Sequence, residues 1–384
     1  MRNSFQRYLK HTFTFLLIIF VLTIIPWILG EFHSENKVEA KITEEKTVLD
    51  EETVIGKDNP LVHAVMAVQA RHTENLLAKN GIVGVATGQK NGTLAIVVLA
   101  ETYELAKAAK IPEKLKNIPV KVIITGKIKA LKRRPKQPPF EPPFEPPFES
   151  PFEPPVDPTA RFDRPVPIGV STGHPDITAG TIGCRVTDGI DVYALSNNHV
   201  YANKNLAEIG DNVLQPGSYD GGAAPADVIG TLSDFETINF SGGENTVDAA
   251  IALSSTELLG NATPSDGYGV PSSSIIEPAI NMKVKKYGRT TGQTEGTITA
   301  INATIDVSYD TGVVARFVDQ IVITPGNFSA PGDSGSLIVT HVEGTSVQDD
   351  REPVGLLFAG SDFITVANPI EAVLKLFNVT IDGE

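Results

Sequence analysis

Cysteine, tryptophan and methionine are scarce in this chain, and positive charge is in deficit. One cysteine, Cys184, stands among 384 residues, which excludes an intrachain disulfide and a zinc site built on several thiolates. The 32 lysines and arginines are outnumbered by 46 aspartates and glutamates, giving a net charge of −14. Clustered positive charge is what attracts nucleic acid phosphates, so nucleic acid binding is disfavoured. We therefore expect a fold held by packing, with no metal site.

A long apolar run occurs only near the N-terminus, from Phe13 to Leu29, and it follows Arg2, Arg7 and Lys10. As a helix the run would span about 25 Å, slightly short for a membrane span and somewhat long for the core of a signal peptide. The pattern predicts a signal peptide or membrane anchor over residues 1–30, and the lack of a nearby cleavage motif favours the anchor. Basic residues before the run place the rest of the chain outside the cytoplasm, anchored to the cell surface or secreted.

The next hundred or so residues change composition three times. Residues 31–58 are polar and rich in Glu and Lys, which predicts a solvated stalk. Residues 59–131 show a helix, two strands joined at Asn91-Gly92, a second helix and a third strand, the pattern of a small α+β domain. Residues 132–164 begin with a basic cluster and continue into Pro-Pro-Phe-Glu repeats, which predict an extended, semi-rigid linker.

From about residue 165 the chain consists of short runs rich in Val, Ile and Thr, separated by Gly, Asn, Asp and Pro. A dozen or so such strands in residues 165–384 suit a pair of closed antiparallel barrels, because closure removes exposed strand edges. One short helix, at about Pro369–Phe377, is expected at the end. The chain as a whole is therefore predicted to be mainly β.

The most informative local sequence is Gly332-Asp333-Ser334-Gly335, which directly precedes an apolar strand. The glycines allow a tight turn in which the backbone amides of Gly332 and Ser334 point at one spot, the geometry of an oxyanion hole. A serine nucleophile needs a base to take its proton and an acid to orient that base. His199, which follows an apolar segment, and Asp248, which opens one, are the candidates.

Other residues compete for these roles. Asp227 also precedes a short apolar strand, so it is an alternative to Asp248 as the acid. His174 and His341 lack matching flanks and are expected at the surface. Cys184 lies in an apolar strand and is expected to be a small buried hydrophobic residue rather than a nucleophile.

These motifs resemble the chymotrypsin-like serine endopeptidases over residues 165–384. The order His199, Asp248, Ser334 is that of the family, and Gly288-Arg289-Thr290-Thr291-Gly292 is similar to its bacterial branch, which includes streptogrisin and alpha-lytic protease. A weaker likeness is to the plant Narrow Leaf 1 group. The resemblance implies a double six-stranded antiparallel β-barrel, a polypeptide substrate, an acyl-enzyme and no cofactor. The chain departs from the family at Asn197-Asn198 and Ser336, and no Ile-Val start follows an arginine near Arg164, which makes activation through a new N-terminus doubtful.

The resemblance also indicates which residues bind the substrate. Phe328, six residues before Ser334, takes the position at the base of the primary pocket where trypsins have an aspartate. Phe358, Ala359 and Gly360 match the strand that lines this pocket and pairs with the substrate. A buried cationic side chain without a carboxylate is costly, so we expect small or medium apolar residues there rather than Lys or Arg.

Two further hypotheses remain open at the level of sequence. The first is a catalytically inactive protein of the same fold that serves as a binding or scaffold module at the cell surface. The second makes residues 59–131 and the linker the functional core, which docks a partner while the β domain only processes the chain itself. Because the linker is long enough to let the small domain fold back, we expect residues 59–131 to contact the catalytic domain and to restrain or assist it. The alternative is that these residues are a spacer or a cell-surface adhesion module.

Overall fold

The computed structural model describes residues 52–130, 155–342 and 350–384. The predicted signal or anchor segment 1–30, most of the stalk and most of the proline-rich linker lie outside the described residues. The described residues belong to a single compact unit, residues 49–384. No helix in these three ranges is long and apolar enough to cross a membrane. The fold is mainly β, as predicted.

The first part of the described chain forms the predicted helix and hairpin. Its elements are α1 (Pro60–Leu77), β1 (Ile82–Lys90), β2 (Thr93–Ala100), α2 (Tyr103–Ala108), β3 (Lys114–Leu115), β4 (Ile118–Ile124) and β5 (Lys129–Ala130). Asn59 caps α1 by accepting a hydrogen bond from the amide of Leu61, and Pro60 takes the first helical position. Asn91 and Gly92, both with positive φ, close the β1–β2 hairpin.

The second part is built of short strands with few helices. Its first half contains β6 (Ser171–Thr172), β7 (Gly180–Thr181), β8 (Cys184–Thr187), β9 (Val192–Ser196), α3 (Asn198–Tyr201), β10 (Asn212–Leu214), β11 (Val228–Phe235), β12 (Glu244–Asn245) and β13 (Ala250–Ser254). Its second half contains β14 (Lys283–Gly288), β15 (Gly292–Asp310), β16 (Val313–Thr324), β17 (Leu337–Thr340), β18 (Pro353–Gly360), β19 (Thr365–Pro369), α4 (Ile370–Phe377) and β20 (Thr380–Ile381). The helix α4 falls where the terminal helix was expected.

Two sheets carry most of these strands. In the smaller sheet six strands follow the order β10, β11, β13, β9, β8, β20. In the larger sheet β14 pairs with β15, β15 with β16, β16 with β19, β19 with β18, β18 with β17, and β17 with β14. The pairing of these six strands therefore returns to its starting point.

Strands of the N-terminal segment continue the larger sheet. β1 pairs antiparallel with the long strand β15, with Gly84 opposite Ile305. β2 runs parallel to β4, so the helix α2 lies in a parallel crossover between them. Val62, Val65 and Val68 of α1 belong to the same apolar cluster as residues of β14, β15 and β18. Buried apolar surface is therefore shared between the N-terminal segment and the later strands.

Candidate active site

His199 and Asp248 form a buried hydrogen-bonded pair. His199 Nδ1 lies 2.7 Å from Asp248 Oδ2, and the side chains are 3% and 0% exposed. His199 lies on α3, the short helix directly after β9, and Asp248 lies just before β13, the strand next to β9 in the smaller sheet. Adjacent strands thus bring the two residues together although they are 49 positions apart in the chain.

The second ring nitrogen of His199 is available for chemistry. Nε2 is buried and has no hydrogen-bond partner within the described part of the chain. When Nδ1 carries the proton of the neutral imidazole, it donates a hydrogen bond to Asp248, and Nε2 is then the ring's hydrogen-bond acceptor. A buried acceptor without a partner is costly in a folded protein unless a reacting group uses it.

The backbone around Asp248 is fixed by amide side chains. Its amide donates to Asn368 Oδ1 at 3.0 Å, and its carbonyl accepts from Asn197 Nδ2 at 2.8 Å. Its Oδ1 accepts a bond from the backbone amide of His199 at 3.2 Å. Asn197, a departure from the family pattern, therefore joins the segment before His199 to the segment that carries Asp248.

Ser334 lies in a turn between the 3₁₀ turn at Gly326–Phe328 and β17. Gly332 and Gly335 have φ values of 108° and 95°, which only glycine adopts without strain. A Cβ atom at Gly335 would lie 2.2 Å from Ser196 Oγ, so this glycine also permits close backbone packing. Ser334 is 1% exposed, and its Oγ lies 3.4 Å from the carbonyl oxygen of Phe358.

Thr181 connects this turn to the strand before His199. The amide of Thr181 donates to Ser334 O at 2.8 Å, and its Oγ1 donates to Gly332 O at 2.9 Å. Its carbonyl accepts from Ser196 Oγ at 2.8 Å, and Ser196 is three residues before His199. The turn with Ser334 and the helix with His199 are therefore joined through a single residue of β7.

The carboxylate of Asp333 holds the same turn from beneath. It accepts hydrogen bonds from the amides of Ala330, Thr290 and Thr291 and from Thr291 Oγ1, at 2.8 to 3.2 Å. Lys286 Nζ lies 3.4 Å away, and both side chains are fully buried. Burial lowers the pKa of Lys286, while Asp333 acts in the opposite direction. Asp333 and its partners therefore hold the turn of Ser334 from within the described residues.

The competing residues have other partners. Asp227 accepts bonds from Arg161 Nε at 2.5 Å and from the amide of Ala223 at 2.8 Å. The expectation that His174 lies at the surface is wrong, because it is 5% exposed and bonds Asp211 at 3.1 Å. The amide of His174 also donates to Val200 O at 3.0 Å, which holds it against the helix of His199. Cys184 is buried, as expected, and burial raises the pKa of its thiol, which makes it inert.

A cleft of about 900 Å³ lies beside the Ser334 turn. It is lined by Ser329, Ala330 and Pro331 before the turn, by Gly360–Phe363, and by Thr125–Lys127, Lys129 and Ala130 of the N-terminal segment. Gly360 is thus the one of the four predicted substrate-binding residues that lines it. Phe328, Phe358 and Ala359 are at most 1% exposed; the two rings pack in the apolar clusters on either side of β15.

The edge of β18 next to this cleft is occupied by β5. Ala130 pairs antiparallel with Ala359, and Lys129 with Gly360. Ala359 and Gly360 belong to the strand that the resemblance assigns to pairing with the substrate backbone. β5 also pairs with β15 through Lys129 and Ser308. Sequence patterns did not indicate this strand pairing, because a two-residue strand next to a proline-rich segment has no periodicity to detect.

Two buried partners of the candidate site were also missed from the sequence. Tyr309 Oη donates to Asp248 Oδ2 at 2.6 Å across 61 residues, and Lys286 approaches Asp333 across 47 positions. Neither residue lies in a recognisable motif. Nothing in the sequence distinguished Lys286, because it is one of three lysines in the six-residue strand β14.

No known protein family and no curated protein matches the chain. Similar solved structures include a glutamic acid-specific serine protease, at 21% identity and a TM-score of 0.41, covering 56% of this chain and 100% of that one. Thermobifida fusca protease A is 18% identical (TM-score 0.39), covering 57% of this chain and 98% of its own. Cellulomonas bogoriensis chymotrypsin is 16% identical (TM-score 0.39), covering 58% and 100%.

These are bacterial chymotrypsin-like proteases, the group that the motifs resemble. A likeness at this level leaves the function to be inferred from the geometry of the site.

Proposed function

We propose that the chain is a serine endopeptidase that works through His199, Asp248 and Ser334. The observation that carries this proposal is the buried 2.7 Å bond between His199 Nδ1 and Asp248 Oδ2, which leaves Nε2 without a partner within the described residues. A histidine oriented in this way is a general base whose free nitrogen needs a proton donor. The Ser334 turn supplies the hydroxyl. Thr181 joins this turn to β9, the strand directly before the helix of His199.

In the proposed reaction His199 Nε2 takes the proton of Ser334 Oγ as the oxygen attacks the scissile carbonyl. The imidazolium that forms is stabilised by the carboxylate of Asp248, and it then protonates the leaving amine. The resulting acyl-enzyme is hydrolysed by water, which His199 activates in the same way. This chemistry needs no cofactor.

The amides of Gly332 and Ser334 are proposed to bind the oxyanion. The carbonyls of Pro331 and Asp333 share their peptide planes with these two amides. They accept hydrogen bonds from Thr290 Oγ1 at 2.9 Å and from Ser336 Oγ at 2.7 Å, and this support of the two peptide planes favours the role. Donors that are already in place when charge develops contribute most of their stabilisation to the transition state.

The finer features of the fold and location belong to the same proposal. The closed pairing of β14 to β19 and the six-stranded smaller sheet support a double six-stranded barrel as the catalytic domain of residues 165–384. The apolar N-terminal run supports export, with the protease anchored to the cell surface or secreted. The resemblance assigns the base of the primary pocket to Phe328 rather than to an acid, and the lack of a carboxylate at this residue supports cleavage after small or medium apolar residues.

The N-terminal segment 59–131 is proposed to restrain the catalytic domain. Its strand β5 pairs with Ala359 and Gly360, and a peptide substrate would need the same backbone groups. Because β5 is part of the same chain, its local concentration at this edge is high, and even a short pairing competes with substrate. The pairing of β1 with β15 holds the segment in place.

The test is hydrolysis of an unstructured protein such as casein by the full chain and by Ser334→Ala. The substitution removes one buried oxygen and should leave the thermal unfolding midpoint nearly unchanged. Activity should fall by about 10⁴- to 10⁶-fold. Equal hydrolysis by the two proteins would refute the proposal, and a folded wild-type chain without hydrolysis or serine reactivity would favour a binding or scaffold role.

A further inference from the structure

The carboxylate of Asp248 has a third donor besides the two from His199. Tyr309 Oη donates to Oδ2 at 2.6 Å, the same oxygen that accepts from His199 Nδ1 at 2.7 Å. The side chain of Asp248 is 0% exposed, so hydration cannot satisfy its lone pairs. A buried carboxylate needs such donors to remain charged, and a charged carboxylate is what orients the imidazole.

The phenol ring of Tyr309 is held in place on three sides. It stacks on Phe317 with ring centroids 6.2 Å apart and meets Phe240 edge-on at 5.3 Å. Its edge contact with His199 has a centroid distance of 6.0 Å. With 4% of its surface exposed, Tyr309 has little freedom to turn its hydroxyl away from Asp248.

The strand that carries Tyr309 is anchored at both neighbouring residues. Asp310 forms an ion pair at 2.7 Å with Lys204, which follows the helix of His199. The amide of Ser308 donates to Ile128 O of the N-terminal segment at 2.9 Å. The tip of the β15–β16 hairpin is therefore positioned against the catalytic pair by contacts on either side of the tyrosine.

We propose that Tyr309 is a positioning residue, whose hydroxyl holds the carboxylate of Asp248 in the orientation that binds His199. This inference rests on the proposed function, and it adds a residue to the machinery that neither the motifs nor the family pattern indicated. The hydroxyl touches no reacting atom, and it acts only through Asp248. The hydroxyl keeps the carboxylate of Asp248 aligned and charged, and this carboxylate orients the base, His199.

Tyr309 keeps its proton in this environment. Burial, together with the adjacent Asp248 carboxylate, raises the pKa of Tyr309 well above that of an ordinary phenol. The residue is therefore a neutral donor throughout the range in which a protease would be assayed. A neutral donor can stabilise the carboxylate without cancelling the charge that His199 needs.

The test is Tyr309→Phe in the full chain, which removes one oxygen and leaves the ring stack. The matched control is Tyr287→Phe, because Tyr287 is also buried and donates to a carboxylate, Asp266 Oδ1, at 2.8 Å outside the site. For Tyr309→Phe we expect kcat to fall about 10- to 100-fold with KM within about twofold of wild type, since a hydrogen bond to a charged group is lost. The acid limb of the kcat/KM profile should move to higher pH, because a less stabilised carboxylate holds the imidazolium more strongly.

A second readout does not depend on turnover. In protein with isotope-labelled histidine, the Nδ1–H resonance of His199, assigned with His199→Gln, should shift in Tyr309→Phe and stay in place in Tyr287→Phe. The inference would be overturned if Tyr309→Phe had the same kcat, the same pH profile and the same Nδ1–H chemical shift as the wild-type protein. If the wild-type chain cleaves nothing, the proposed function has failed, and the resonance alone decides whether Tyr309 orients the pair.

Discussion

Lys286 Nζ lies 3.4 Å from Asp333 Oδ2, and neither side chain is exposed. Asp333 belongs to the turn of Ser334. Its carboxylate also accepts hydrogen bonds from three backbone amides and from the hydroxyl of Thr291. A buried ion pair adds little net stability, whereas removing one partner strands a charge. The pair therefore fixes the turn's shape more than it stabilises the fold.

Replacing Lys286 with Met should lower both stability and activity. The uncompensated carboxylate of Asp333 costs about 3 to 5 kcal/mol of unfolding free energy, and the turn that presents Ser334 loosens. Chemical denaturation and kcat measure the two effects. Lys285→Met is the matched control, because Lys285 is also buried but its partner Asp350 is partly exposed. Water can hydrate the carboxylate that this variant leaves behind, so both losses should be smaller than for Lys286→Met. Equal losses in the two variants would show that the buried pair has no special role.

Asp248 and Asp227 are the two candidates for the acid that orients His199. Replacing each in turn with asparagine distinguishes between them. Asp248→Asn should lower kcat by about 10⁴-fold, because the amide favours the wrong tautomer of His199. Asp227→Asn should keep wild-type kcat. The opposite ranking in a peptide-hydrolysis assay would assign the acid to Asp227.

Asp227 should instead affect stability as a function of pH. Its hydrogen bond and ion pair with Arg161 lower the pKa of Asp227 in the folded chain. A lowered folded pKa gives stability that is present above the unfolded pKa of about 3.9 and is lost as pH falls through the folded value. Asp227→Asn should therefore unfold more easily than wild type at neutral pH, with the difference narrowing in acid. A constant difference across that range would contradict the linkage.

The pH profile of kcat/KM tests the base. Activity should rise with increasing pH, because only a neutral imidazole accepts the proton of Ser334. Tyr309 should add no alkaline limb up to about pH 10, since its raised pKa keeps it protonated there. A flat profile between pH 5 and 8 would exclude His199 as the base.

Displacing β5 should activate the full chain. Ala130 is 5% exposed and packs in an apolar cluster, so Ala130→Asp places a carboxylate where it cannot be hydrated and frees the edge of β18. Peptide hydrolysis should rise about 10-fold or more. Lys129→Asp, at an exposed side chain of the same strand, should have a small effect. Unchanged hydrolysis in a folded Ala130→Asp protein would mean that β5 does not restrain the site.

Local patterns in the sequence were sufficient for some features and insufficient for others. The Asn91-Gly92 turn, α1 and the short C-terminal helix follow from turn chemistry and periodicity, which depend on near neighbours. The flanks of His199 and Asp248 identified two residues that the structure joins. Tyr309, Lys286 and the β5–β18 pairing depend on contacts across tens to hundreds of residues. Such contacts leave no trace in composition or spacing, so only the three-dimensional structure reveals them.

The most direct test of the central claim is the site of a covalent label. The full chain and its Ala130→Asp variant are treated with a fluorophosphonate, and the modified residue is mapped by peptide mass spectrometry. A serine activated by His199 and Asp248 should carry one adduct at Ser334, lost in Ser334→Ala and formed far more slowly in His199→Ala. Absence of an adduct at Ser334 in both folded proteins, or labelling that survives Ser334→Ala, would contradict the account.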